Sequence, residues 1–165
     1  MATTSLQGST CNTNASLPVI GNQAPDFTLL NVKMKENSLQ NFSGKFKLIY
    51  AVPSLDTMVC ADTTKKLNEL ASEYSNTDFM VISADLVFAQ QRFCKQNKIK
   101  KLIPLSMMRS KQFAEDYGLL LIDGPLAGLS ARAIFVLDSS NKILHVELVD
   151  DIAKEPDFKT ALSFL

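Results

Sequence analysis

A short segment that joins a buried strand to a helix sets the main constraint on how this chain folds. The apolar run Leu48–Val52 is rich in β-branched and aromatic residues, which predicts a buried strand. Pro53 ends that strand because proline has no N–H to donate to a sheet. Apolar and small residues then recur at intervals of three and four from Cys60 to Tyr74, which predicts a helix. Cys60 therefore lies where a strand's carboxyl end meets a helix amino terminus, the edge at which α/β sheets bind ligands.

The predicted position of Cys60 favours an ionised sulfur. A helix amino terminus presents unpaired N–H groups and the positive end of the helix dipole, and both stabilise an anion. In cysteine chemistry the nucleophile is the thiolate and not the thiol. Cys60 is therefore a candidate nucleophile, although a free cysteine is also commonly a small buried hydrophobic residue.

The remaining patterns predict an α/β layered domain with a mixed central sheet flanked by helices. Residues 1–20 are polar and predict an amino-terminal arm or short hairpin. Pro104 argues for an edge strand, Asp85 is a candidate N-cap, and Pro156 suits the first turn of a last helix. Further strands are predicted at 24–30, 79–83, 102–106, 131–137 and 143–149, and further helices at 85–97, 110–117 and 156–165.

Composition narrows the class of protein. The chain has 165 residues, which fits a single domain over 1–165, and its 17 basic residues balance its 17 acidic ones. This balance argues against a nucleic-acid partner, since such proteins usually carry a basic excess. No apolar run reaches the roughly 20 residues of a membrane span, and the first residues do not resemble a secretory signal. We therefore expect a cytoplasmic protein.

Three cysteines, Cys11, Cys60 and Cys94, are spread along the chain, and His145 is the only histidine. No pair has the C-x-x-C spacing, and this set makes neither a metal site nor a disulfide scaffold. The thiols are therefore either inert and buried or reactive. We expect Cys11 to be an incidental thiol on a mobile arm.

Pro53, Thr57 and Cys60 carry a clear family likeness. They form the pattern P-x-x-x-T-x-x-C, which resembles the active-site motif of the peroxiredoxins. Other segments resemble one branch of that family, the Tpx-type thiol peroxidases of the atypical two-cysteine class. The likeness runs in order from about residue 17 to residue 165, through Ala24–Phe27, Val81–Leu86, Phe88–Gln90, Arg92–Cys94, Glu115–Gly118, Asp123–Leu129 and Ala131–Ala133.

The resemblance implies a thioredoxin-like fold and reduction of hydrogen peroxide and organic hydroperoxides without metal or cofactor. It implies that Cys60 is the peroxidatic cysteine, which becomes a sulfenic acid, and that Cys94 is the resolving cysteine of an intrachain disulfide. Thioredoxin would reduce that disulfide, and the protein would be a homodimer. Thr57 would orient the peroxide, Arg132 would hold positive charge beside the sulfur, and Pro53 would shield the sulfenic acid.

Four apolar residues are candidates for the mouth of a substrate pocket that would favour an organic tail. They are Leu55, Met58, Phe88 and Leu126. Met58 occupies a position where the resemblance leads us to expect proline. The edge at Pro104 and the loop 110–128 are candidate dimer surfaces.

Several alternatives remain open from the residues alone. Arg132 could form a structural ion pair with Asp62 or Asp85. Thr57 could cap the helix, and it could do both jobs. The competing functions are a general thiol–disulfide oxidoreductase, which the missing C-x-x-C disfavours, and a peroxide-sensing redox switch.

The two reactive cysteines are predicted at the start of one helix and near the end of another. Their Cα atoms must come within about 7 Å to form a disulfide. We therefore expect one or both helices to unwind locally during turnover.

Overall fold

The chain forms a seven-stranded mixed sheet with helices against it, together with a separate two-stranded hairpin at the amino end. The computed structural model describes every residue from Met1 to Leu165. The strands are β1 (Thr3–Leu6), β2 (Ser9–Asn12), β3 (Leu29–Asn31), β4 (Glu36–Asn37), β5 (Phe46–Ala51), β6 (Thr77–Ser83), β7 (Leu102–Ser106), β8 (Ala133–Leu137) and β9 (Ile143–Leu148). The helices are α1 (Met58–Leu70), α2 (Val87–Gln96), α3 (Gln112–Asp116) and α4 (Phe158–Leu162).

The strands of the main sheet lie in the order β4-β3-β7-β6-β5-β8-β9. The pairs β5–β6 and β6–β7 are parallel and are connected by α1 and α2, whereas the other pairs are antiparallel. Successive β5 side chains point to opposite faces of the sheet. Leu48 and Tyr50 accordingly pack into the apolar cluster that contains Cys60, and Ile49 and Ala51 pack into the cluster on the other face. The predicted mixed α/β sheet is confirmed.

The amino-terminal segment is a hairpin, and the expectation of a mobile arm around Cys11 is wrong. Cys11 lies in β2 with none of its surface exposed, and it packs against Leu121, Ala131 and Ile152. A Cβ atom built on Gly124 would lie 2.9 Å from the Cys11 sulfur, so the loop that contains Gly124 covers this thiol closely. The covering segments are more than 100 residues away in sequence, and local patterns do not reveal such pairing.

Strand β7 has the predicted bounds but not the predicted edge position. It lies between β6 and β3, so the surface at Pro104 is not a free edge for a partner. The proline is tolerated because β3 pairs only with Leu105 and Ser106, and Pro104 is in register with a partner on one side alone, Val81 of β6. The free edges of the sheet are β4 and β9.

Several element ends differ from prediction by a few residues. Strand β3 takes up only the end of the predicted 24–30 segment, and β8 begins after Arg132 rather than before it. Helix α4 begins at Phe158, so Pro156 lies before the helix and not at its first position, and Asp157 is the N-cap whose side chain accepts the N–H of Thr160. None of the helices has the length and apolar character needed to cross a membrane.

Gly118 directly follows Tyr117, the C-cap of α3. Its φ angle is +66°, which glycine adopts without strain. A Cβ atom there would lie 2.4 Å from the carbonyl oxygen of Ser16, so the close approach of the two segments also requires glycine.

Candidate active site

Cys60 lies in the first turn of α1, and only 1% of its surface is exposed. Thr57 is the N-cap, with extended backbone, and its hydroxyl oxygen accepts the N–H of Cys60 at 3.4 Å. The same hydroxyl donates to the carbonyl oxygen of Ser54 at 3.2 Å. Thr57 therefore caps the helix, and the cap leaves the sulfur at the positive end of the helix dipole.

Arg132 brings a full positive charge to the Cys60 sulfur. The residue lies directly before β8, and only 1% of its surface is exposed. Its Nη2 donates to Cys60 Sγ at 3.0 Å, and its Nε donates to the carbonyl oxygen of Ile152 at 2.9 Å. These contacts fix the guanidinium from two sides.

Arg132 has no carboxylate partner, so the alternative of a structural ion pair is wrong. Asp62 pairs with Lys65 at 2.9 Å, and Asp85 accepts hydrogen bonds from other groups. None of the ion pairs in the structure includes Arg132. A buried charge requires compensation, and the Cys60 sulfur is the group in contact with Arg132 that becomes an anion when it loses its proton.

Two residues that sequence reasoning did not select complete the surroundings of the guanidinium. Nη1 of Arg132 donates to the Tyr50 oxygen at 2.5 Å and to the Thr63 hydroxyl at 3.3 Å, and the two hydroxyl oxygens are 2.7 Å apart. Burial raises the pKa of Tyr50 to about 12, so its phenol is neutral at neutral pH. Tyr50 lies within an apolar run, so the sequence indicates only a core position for it. Thr63 lies three residues after Cys60 on the same helix, so helical spacing could have placed it beside Cys60.

Asp85 ties the loop before Cys60 to the segment before α2. Its carboxylate accepts the Ser54 hydroxyl at 2.6 Å, the Leu55 N–H at 2.7 Å and the Ser83 hydroxyl at 2.7 Å. The prediction that Asp85 caps α2 is wrong. The N-cap residue is Leu86, and no side chain caps this helix. The carboxylate is used instead to hold the active-site loop.

Cys94 lies in the last turns of α2 and packs against the apolar cluster that contains Cys60. Both thiols are free, and Cys94 is partly exposed. Burial raises the pKa of Cys94 to about 11, so its thiol keeps its proton at neutral pH while α2 is intact. An exposed ion pair between Arg92 of α2 and Asp56, at 3.6 Å, joins α2 to the active-site loop.

The structure does not bring together the four residues expected at the pocket mouth. Leu55 is buried in the cluster around Cys60, and Leu126 packs against the separate cluster around Cys11. Met58 and Phe88, at the starts of α1 and α2, are exposed over 83% and 58% of their surfaces. Met58 begins α1 without the expected proline, and Pro53 is buried in the loop before it.

Two surface cavities of about 440 Å³ lie away from Cys60. One is beside β3 and Arg109, and the other is between α1 and α4. No group of three or more His, Cys, Asp or Glu side chains is placed to hold a metal ion. The hydrogen bonds and the charge at the Cys60 sulfur favour a thiolate nucleophile, which makes this sulfur the candidate reactive centre.

Comparisons with known proteins agree with this chemistry. The redoxin family model matches residues 20–162. The thiol peroxidase of Leptospira interrogans serovar copenhageni is 42% identical over 165 residues, which cover 99% of this chain and 96% of that protein. The crystal structure of a peroxiredoxin-like protein from Aquifex aeolicus superposes with a TM-score of 0.92 at 33% identity, covering 99% of this chain and 95% of that one. A thiol peroxidase from Chromobacterium violaceum has the same fold, with a TM-score of 0.91 at 21% identity over 98% of this chain and 94% of that one.

Proposed function

This chain belongs to the redoxin family and reduces peroxides with thiols as the reductant, and we propose the roles of its cysteines. Cys60 is the peroxidatic cysteine, and Cys94 is the resolving cysteine. The observation that carries the assignment of Cys60 is the 3.0 Å hydrogen bond from Arg132 to its sulfur. A thiolate held at a capped helix amino terminus beside a buried arginine is the nucleophile that attack on an O–O bond requires.

The first chemical step oxidises Cys60. Its thiolate attacks the nearer peroxide oxygen, the S–O bond forms, and the O–O bond breaks. The departing oxygen leaves with the electron pair of that bond and takes up a proton, which yields water or an alcohol and a Cys60 sulfenic acid. Arg132 stabilises the negative charge that develops on the oxygens, and Thr57 supports the peroxide's orientation. Pro53 limits the access of water.

The second step joins the two cysteines. The Cys94 sulfur attacks the sulfenic sulfur, water leaves, and an intrachain disulfide forms. Thioredoxin then reduces the disulfide by dithiol exchange. The position of Cys94 against the apolar cluster around Cys60 supports this pairing. Because both cysteines lie in intact helices here, local unwinding of α1 or α2 precedes the bond.

Disulfide formation is expected to speed up as the pH rises. Burial raises the pKa of Cys94 from 9.0 to about 11, so intact α2 is stabilised relative to opened α2 below pH 9, and this advantage is lost as the pH rises through about 11. Rapid acid quenching and peptide mass spectrometry after one peroxide pulse will measure the rate of disulfide formation from neutral pH upward. A rate that does not change with pH would show that opening and deprotonation of Cys94 do not limit this step.

A coupled assay tests the overall function. Purified protein is mixed with hydrogen peroxide or an organic hydroperoxide, thioredoxin, thioredoxin reductase and NADPH, and NADPH oxidation is followed. We expect continuous turnover in the wild type and loss of thioredoxin-dependent recycling in Cys94→Ser. Stoichiometric oxidation of Cys60 without turnover, tested with thioredoxin and with other dithiols, would instead support the redox switch.

Substrate preference, assembly and location belong to the same proposal. The exposed side chains of Met58 and Phe88 at the starts of α1 and α2 support contact with an organic hydroperoxide tail. A homodimer and a cytoplasmic location remain predictions. Light scattering at micromolar concentration will test the dimer, for which the loop 110–128 is the surface left once the edge at Pro104 is excluded.

A further inference from the structure

The Tyr50 hydroxyl is a polar group placed deep in the core against Arg132. None of the Tyr50 surface is exposed, and its ring packs edge-on against Phe158 with centroids 5.7 Å apart. Its oxygen lies 2.5 Å from Arg132 Nη1, whereas the other terminal nitrogen, Nη2, contacts Cys60. The ring is therefore held by packing, and its hydroxyl meets the guanidinium at a fixed point.

The hydrogen bonds around Tyr50 run in one direction. Thr63 has a single hydroxyl proton, and its oxygen lies 2.7 Å from the carbonyl oxygen of Val59, which can only accept. The hydrogen bond between Tyr50 and Thr63 must then be donated by Tyr50. The Tyr50 oxygen is thereby left to accept from Arg132, which has donors only.

This series of hydrogen bonds returns to the helical turn that carries the reactive sulfur. It passes from Arg132 to Tyr50, then to Thr63, and ends at the carbonyl of Val59, the residue before Cys60. Arg132 is thus joined to the start of α1 by three routes, which are its direct contacts with the Cys60 sulfur and the Thr63 hydroxyl and the indirect route through Tyr50. The sulfur and the Ile152 carbonyl hold Nη2 and Nε, and the Tyr50 and Thr63 hydroxyls hold the remaining nitrogen, Nη1, so that all three nitrogens of the planar guanidinium are fixed.

We propose that Tyr50 is a positioning residue that, through Thr63, holds the Arg132 guanidinium against the Cys60 sulfur and leaves its charge uncompensated by any carboxylate. The inference rests on the proposed role of Cys60. A carboxylate in this place would also orient the arginine, but it would offset much of the charge that stabilises the thiolate. A phenol orients the guanidinium and stays neutral, since burial raises the pKa of Tyr50 to about 12.

Tyr50→Phe tests this inference, with Tyr117→Phe as the matched control. Tyr117 is equally buried, and its hydroxyl donates to the Pro25 carbonyl at 2.7 Å, away from Arg132. The rate of Cys60 oxidation by hydrogen peroxide is measured in a single turnover across pH by rapid alkylation and mass spectrometry. We expect Tyr50→Phe to react about 10- to 100-fold more slowly at neutral pH, as when an outer partner of a reactive group is lost, and to reach its half-maximal rate at a higher pH.

Tyr117→Phe is expected to keep the wild-type rate and pH profile. A wild-type rate and pH profile in Tyr50→Phe would overturn the inference while leaving the proposed function intact. Failure of the wild type itself to oxidise at Cys60 would overturn the proposed function instead. The two failures are therefore distinguishable.

A second pair of variants covers the case in which Tyr50→Phe does not fold. Thr63→Val removes the next hydroxyl with little change of shape, and Thr63→Ser keeps it. We expect Thr63→Val to show the same slower rate and shifted pH profile, and Thr63→Ser to match the wild type. Equal rates in the two variants, whether both slow or both at the wild-type level, would contradict a role for this hydroxyl.

Discussion

Cys60→Ser abolishes peroxide consumption, because a serine hydroxyl at neutral pH supplies neither the anion nor the polarizable nucleophile that attack on oxygen requires. The capped turn of α1 and the guanidinium of Arg132 stabilise an anion at the sulfur, and the serine hydroxyl does not provide that anion. NADPH oxidation in the coupled thioredoxin assay measures the effect, and we expect no signal above the rate without enzyme.

Cys11→Ala is the matched control for this prediction. Cys11 is as deeply buried as Cys60, but it lies in a separate apolar cluster, and its thiol donates to the Ser9 carbonyl oxygen at 3.6 Å instead of accepting from a guanidinium. We expect wild-type turnover in the folded variant. Residual turnover in Cys60→Ser, or loss of turnover in folded Cys11→Ala, would contradict the assignment of Cys60 as the nucleophile.

Arg132→Met lowers the rate of Cys60 oxidation by roughly 10²- to 10³-fold, the loss that follows removal of one preorganised donor at a developing charge. Methionine fills a similar volume but removes the charge beside the sulfur and the donors to Tyr50 and to the Ile152 carbonyl. The second-order rate constant for hydrogen peroxide, measured in a single turnover at neutral pH, tests this prediction.

Arg132→Lys separates charge from geometry at the same position. A lysine ammonium keeps the charge but cannot reproduce the planar fork that contacts the sulfur and the groups behind it. We expect a rate between those of the wild type and Arg132→Met. Arg109→Met is the control, because Arg109 is exposed and pairs with Glu36 at 3.2 Å. An unchanged rate in Arg132→Met would show that the positive charge of Arg132 does not contribute to the rate of Cys60 oxidation.

The local order of the chain could be predicted well from sequence. The apolar run that became β5, the proline after it and the helical spacing after Cys60 are all local patterns, and the structure confirms the strand-to-helix edge. The capping role that the sequence left open for Thr57 is present in the structure.

The surroundings of Arg132 could not be predicted, because they depend on residues far apart in the chain. The Tyr50 hydroxyl and the Ile152 carbonyl come from elements 82 and 20 residues away from Arg132. A tyrosine within an apolar run counts as core, and its polar end becomes visible only when its neighbours are known. Asp85 was misassigned for the same reason, since its partners Ser54 and Leu55 lie about 30 residues earlier.

The interior position of β7 shows the same limit in the sheet. Pro104 correctly indicates that one side of the strand lacks a partner at that residue. The pairing of the short strand β3 with Leu105 and Ser106 alone could not be anticipated from this local signal.

The most direct test of this account is the map of disulfides after one equivalent of hydrogen peroxide is added to the fully reduced protein. Digestion without reducing agent and mass spectrometry will identify the linked peptides, and mixing of isotope-labelled and unlabelled protein will distinguish links within a chain from links between chains. The account predicts a single product, Cys60 joined to Cys94 of the same chain. A Cys60–Cys11 bond, a bond between chains, or oxidised Cys60 beside an untouched Cys94 thiol would contradict it.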